Sequence, residues 1–93
     1  MRLHQKGYLL VSLSKADSMW DHALIAQTFA EYGSAGEYAE NTIRIALDEL
    51  AAGGLINRLE EKLEIHNGKQ KLFFKYQLSA FGRSRMQDTG LLS

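Results

Sequence analysis

Asn41, Thr42, Arg44 and Ile45 fall within one short run, "NTIRIALDEL", and His66, Lys69 and Lys71 fall within another, "EIHNGKQKLF". The first group has the chemistry to read base edges. An asparagine amide can bridge two polar groups of adenine, an arginine can do the same for guanine, and an exposed isoleucine suits a thymine methyl. Thr42 is placed to contact a phosphate or to cap a helix start. The second group is cationic at neutral or mildly acidic pH and suits a phosphate backbone.

Other chemistry finds little support. His4, His22 and His66 are widely spaced and lack partners at metal-ligand spacing, so no metal site and no cofactor is expected. Asp21 and His22 are adjacent, and on a helix they point in different directions, which does not make a catalytic pair. There is no nucleophile elbow, phosphate loop or carboxylate pair, and no enzymatic activity is expected.

The chain that positions these residues has 93 residues, 45% of them hydrophobic, which allows one domain with one modest core. It has no cysteine and no proline, so disulfides and thiolate sites are excluded and no linker is marked. The longest apolar run, "YLLVSL" at 8–13, is far short of the ~20 residues a membrane span needs. A cytoplasmic protein is expected.

Eleven basic and eleven acidic side chains cancel, but they are unevenly placed. Residues 17–61 hold nine acids against Arg44 and Arg58, and residues 62–86 hold six bases against Glu64 alone. The chain is polarised rather than neutral.

The coarse pattern divides residues 1–93 into an N-terminal helix within 1–16, a helix-turn-helix over 18–52, a hairpin over 57–78 and a C-terminal helix over 79–89. The first helix, read over 3–15, rests on Leu3, Leu10 and Leu13. Ser18 is expected to cap the second, with Asp21 completing a capping-box variant and Trp20, Leu24, Ala26 and Phe29 on its apolar face. "GSAG" at 33–36 makes the turn. Ile43, Leu47 and Leu50 then give the third helix its core face, leaving Asn41, Arg44, Ile45 and Asp48 outward, with Arg44 and Asp48 at ion-pair spacing. Glu37 and Glu40 make its entrance acidic.

Asn67-Gly68 signals a type I′ hairpin turn. The register it dictates sets Leu63 against Leu72 and Leu59 against Tyr76 on one face, and Glu64 against Lys71 and Glu60 against Lys75 on the other. Apolar groups meet apolar groups and opposite charges meet, so side-chain pairing supports the same register as the turn. Only His66 and Lys69 are left unpaired at the tip. Phe73 falls on the charged face opposite Lys62, which calls for cover from a terminal helix or a second subunit. The expected fold class is mainly α with a small antiparallel β-hairpin, in a winged helix-turn-helix arrangement.

Thr42, Ile43, Ala46, Leu47, Leu50, Gly54, Leu55 and Ile56, followed by Tyr76, Leu78, Ser79 and Gly82, resemble the "T-L-x-x-A-L-x-x-L-x-x-x-G-L-I" and "Y-x-L-T-x-x-G" cadences of winged-helix transcriptional regulators of PadR and MarR type. The departures are Ile43 for leucine, Ser79 for threonine and Phe81 where a small residue is common. The resemblance covers residues 18–86. It implies a homodimer that binds double-stranded DNA sequence-specifically, with the third helix in the major groove, the wing on the backbone, and the N- or C-terminal helix at the dimer interface. The alternative is a winged-helix module that binds a protein partner and has lost DNA binding.

Overall fold

The computed structural model describes residues 4–91. Leu3, and the last two residues of the expected "TGLLS" tail, lie outside them. The element order is α1 (Gln5–Ser14), β1 (Met19–Trp20), α2 (Asp21–Tyr32), α3 (Glu37–Ala52), β2 (Ile56–His66), β3 (Lys69–Leu78) and α4 (Ala80–Thr89). No helix among the described residues is long and apolar enough to cross a membrane.

The helical spacing of the sequence places the core. Leu9 and Leu13 of α1, Leu24 of α2, Ile43 and Leu47 of α3, Ile56 of β2, Tyr76 of β3 and Met86 of α4 are all essentially inaccessible to solvent. Gly33, at φ 66°, ends α2 in the left-handed conformation that glycine adopts without strain. Ala26, expected on the apolar face of α2, is exposed instead, and Asp21, Leu24, Ile25 and Thr28 are the buried positions.

The entry to α2 differs from expectation. Ser18 is not its cap. Met19 and Trp20 are extended and pair with Tyr76 and Lys75, adding β1 to a three-stranded antiparallel sheet ordered β1-β3-β2. Helix α2 therefore begins only at Asp21, after Trp20, whose side chain makes no capping bond. Strand pairing outcompeted the local capping signal, and Asp21 was freed for a different task.

The turn forms as its residue types require, with φ 52° at Asn67 and 76° at Gly68. From His66–Lys69 down to Glu60–Lys75 the register is the expected one. It then shifts. A bulge at Leu59 sets Arg58, not Leu59, opposite Tyr76. Leu59 turns to solvent, while the Arg58 guanidinium lies 3.9 Å from the Phe74 ring centroid and 3.1 Å from the Tyr76 hydroxyl.

Burial on the hairpin also departs from the simple two-faced picture. Leu63 and Leu72 are paired as expected but are 57% and 43% exposed, because the wing runs out past the helices that could cover it. Phe73, on the charged face, is buried instead. The His22 and His66 rings stand edge-on to it with centroids 5.0 and 6.2 Å away, so side chains of α2 and the wing tip supply its cover. Trp20 is half-buried, outside the core, and lies beneath the ammonium groups of Lys62 and Lys75.

Serine and glycine close the base of the wing. The Ser79 hydroxyl accepts from the Gly82 N–H (2.8 Å), capping α4, and approaches the carbonyls of Gly54 and Leu55 at 2.6 and 2.9 Å. A Cβ on Gly82 would overlap the Leu55 carbonyl. Ser79 and Gly82 of the Tyr76, Leu78, Ser79, Gly82 cadence are thus explained by packing of α4 against the end of the α3–β2 connection.

Candidate nucleic-acid interface

Helix α3 presents its N-terminal half beside the wing, and a groove of about 460 Å³ separates them. Asp21, Glu40, Asn41, Arg44, Lys71 and Phe74 are among its lining residues. Glu37 and Glu40 occupy the first turn of α3, where carboxylates favour the helix dipole but give the groove mouth negative charge.

Arg44 does not point outward. Its Nη1 lies 2.6 Å from Asp21 Oδ2 and its Nε 3.1 Å from Glu40 Oε2. The core face of α3 leaves Arg44 only partly exposed, and Asp21, buried at the start of α2, is within reach together with Glu40. Asp21 Oδ2 also accepts the Phe74 N–H at 3.1 Å, which ties α2, α3 and β3 together through one carboxylate. Its Oδ1 has no hydrogen-bond partner, and the nearest cationic candidate is His22 Nδ1 at 3.8 Å. The expected Arg44–Asp48 pairing is absent, because Asp48 pairs with Arg58 at 2.8 Å.

The other candidate residues separate into three places. Asn41 is exposed and lines the groove. Thr42 is exposed, with its hydroxyl donating back to the Tyr38 carbonyl at 2.9 Å, and Ile45 is 59% exposed. Thr42 and Ile45 face a shallower depression against α1 rather than the groove. His66, Lys69 and Lys71 lie at the outer part of the wing.

The wing's charge pairing is redistributed relative to expectation. Glu60 and Lys75 pair at 3.1 Å as the register requires. Lys71 sits opposite Glu64 on the backbone but reaches Glu40 on α3 at 3.1 Å. Glu64 turns to Lys62 and His66, both at 2.8 Å, so His66 is not an unpaired tip cation. Among the described residues Lys15, Lys69, Arg83 and Arg85 are the lysines and arginines without an ion pair. Lys69 alone of these belongs to the wing.

Protonation follows the same contacts. Partial burial works to raise the Glu40 pKa, but hydrogen bonds from Lys71 and Arg44 outweigh it and hold the carboxyl below its ordinary value. Hydrogen bonds from Lys62 and His66 likewise lower that of Glu64. Burial pushes the Tyr76 phenol up, against the opposing pull of Arg58. No group of three histidine, aspartate or glutamate side chains able to hold a metal ion occurs among the described residues.

Two features escaped the sequence. Tyr38 stands 87% exposed in the first turn of α3, and its distance in helix angle from Ile43, Leu47 and Leu50 could have revealed it. The Asp21–Arg44 pair joins residues 23 apart and had no local signal.

No family model matches the chain, and no curated protein matches it. A solved structure that it resembles is that of a protein from Thermoplasma acidophilum named as a transcriptional regulator. The two are 21% identical, with a TM-score of 0.64, over 90% of this chain and 72% of the other. At this identity the likeness concerns architecture: the chain folds as a winged helix-turn-helix.

Proposed function

We propose that this protein is a non-catalytic, cytoplasmic DNA-binding transcriptional regulator of PadR or MarR kind. It acts as a dimer on a roughly palindromic duplex site. The observation that carries this reading is the pairing of an exposed α3 N-terminal half, with Asn41 at the groove mouth, and a projecting hairpin whose lysine at 69 has no ion pair. Helix α3 enters the major groove, Asn41 and Ile45 meet base edges, Thr42 lies near the backbone, and Lys69, with His66 and Lys71 beside it, meets phosphate. Arg44 reaches a base only by leaving Asp21 and Glu40, so in this reading its first task is to fix the orientation of α3. The Thermoplasma protein's name is consistent with this function.

A second reading, a protein-binding winged helix, is favoured by one specific feature. Every cation bordering the groove is already paired with a carboxylate, while Glu37, Tyr38, Asp48 and Glu49 remain exposed on α3.

Selection from a pool of random duplexes tests the proposal. An enriched two-fold-related site whose preference relaxes at one position with Asn41→Ala supports it. Failure to enrich any sequence overturns sequence-specific regulation.

A further inference from the structure

Strand β2 is the edge of the sheet, with β3 on one side and, among the described residues, no backbone partner on the other. It is 11 residues long, regular from Glu60 to His66, and flanked by exposed apolar side chains: Leu63 at 57%, Ile65 at 69% and Leu72 on β3 at 43%. A long open edge with apolar side chains is a template for another strand.

We propose that two copies of this chain pair antiparallel through their β2 edges about a two-fold axis at Leu63, joining both wings in one continuous sheet. A two-fold antiparallel pair must set side chains of the same face opposite one another, so only a few registers exist. With the axis at Leu63, this leucine meets its own copy. Lys62 then faces Glu64 and Glu60 faces His66, each pair occurring twice. An axis at Lys62 would set Glu60 against Glu64 and Lys62 against itself. One at Glu64 would oppose Glu64 to itself and Lys62 to His66. One at Glu61 would oppose two glutamates and run into the bulge at Leu59.

The Leu63 register also continues the pairing already inside each wing. Because Leu63 lies opposite Leu72 within a chain, the joined sheet carries the row Leu72, Leu63, Leu63, Leu72 across four strands. On the other face the row through Glu64 reads Lys71, Glu64, Lys62, Phe73, and the row through Glu60 begins Lys75, Glu60, His66. Lys71, Glu64 and the facing Lys62 alternate in charge across the seam, while on the Leu63 face Glu61 falls opposite Ile65. This contact differs from the helical interface that family resemblance implied. It leaves α3 and Lys69 outside the seam, while His66 lies within it, and its test is read on the protein without DNA.

Sedimentation of the full chain, without DNA, tests the proposal. The wild-type protein should sediment with twice its 10.5 kDa mass. Lys62→Glu alone and Glu64→Lys alone should each weaken dimerisation about tenfold or more, since each sets like charges opposite twice. Mixing those two variants should restore a heterodimer, because glutamate at 62 then faces lysine at 64 across the seam while the intrachain repulsion in each variant persists. Leu63→Lys should give a monomer with an unchanged far-ultraviolet dichroism spectrum. A monomeric wild type, a dimer indifferent to these substitutions, or a mixture no more associated than its separate components would overturn the β2 seam, the second by placing the contact on another surface.

Discussion

Substituting Arg44 with alanine removes the main partner of a carboxylate that is 1% exposed. Asp21 would keep the Phe74 N–H on Oδ2 but lose the guanidinium there, while Oδ1, which has no hydrogen bond even in the wild type, would gain none. Removing one member of a buried ion pair costs about 3–5 kcal/mol. The Arg44 side chain is 22% exposed, so water can partly replace it, and the cost should fall near the low end, about 3 kcal/mol. A domain of this size has a total stability of about 5–14 kcal/mol. The melting temperature should therefore drop by roughly 12–24 °C.

Urea unfolding at neutral pH, followed by circular dichroism, measures the loss. The midpoint should move with the slope unchanged. The sharper test is a second substitution: Asp21→Asn added to Arg44→Ala should recover about 1 kcal/mol or more, because a neutral amide still accepts from Phe74 and no longer buries an uncompensated charge. If Arg44→Ala costs under about 0.5 kcal/mol, or the second substitution destabilises further, the buried-pair reasoning is wrong. DNA-binding losses in Arg44 variants must accordingly be normalised to the folded fraction.

Gly82→Ala should cost about 2 kcal/mol or more, since its Cβ would overlap the Leu55 carbonyl and approach Leu78 Cδ1 to 2.9 Å; a thermal melt within a degree of wild type would refute that packing role. Glu40 has a folded pKa below its unfolded value, so its contribution is complete above the unfolded pKa and is lost as pH falls through the folded one. Glu40→Gln should therefore flatten the stability profile below about pH 4.5, and an unaltered acid limb in urea titrations would contradict the Lys71 and Arg44 contacts. Lys69→Ala should leave stability within about 0.5 kcal/mol of wild type and reduce the salt slope of DNA binding by about 0.9, equally on all sequences. A changed preference at one base position would mean that the wing reads sequence.

Much of the architecture was legible because it is written in short-range patterns. Ile43, Leu47 and Leu50 announce the core face of α3, and Asn67-Gly68 fixes both the turn and the pairing down to Glu60 and Lys75. What was not legible depends on distant partners. Trp20 carries a helix-start context in sequence, yet β3 recruits it as strand. Nothing local to Leu59 reveals that a bulge will hand its place beside Tyr76 to Arg58.

The site was harder for the same reason. Periodicity says which way a helical position faces, but it cannot say that Asp21 will rise 23 residues away to take Arg44, or that Lys71 will leave its cross-strand partner for Glu40. Long side chains choose among all carboxylates within reach, and that choice belongs to the tertiary structure.

Duplex binding across a salt series, followed by fluorescence anisotropy on selected and random DNA, tests the central claim most directly. Each phosphate contact contributes about −0.9 to the slope of log affinity against log salt, and so few unpaired cations among the described residues predict a shallow slope of a few such contacts. Tighter binding to the selected duplex with that shallow slope is the predicted result. No salt-sensitive binding to any duplex at low ionic strength would contradict a DNA-binding role and leave the acidic face of α3 to a protein partner.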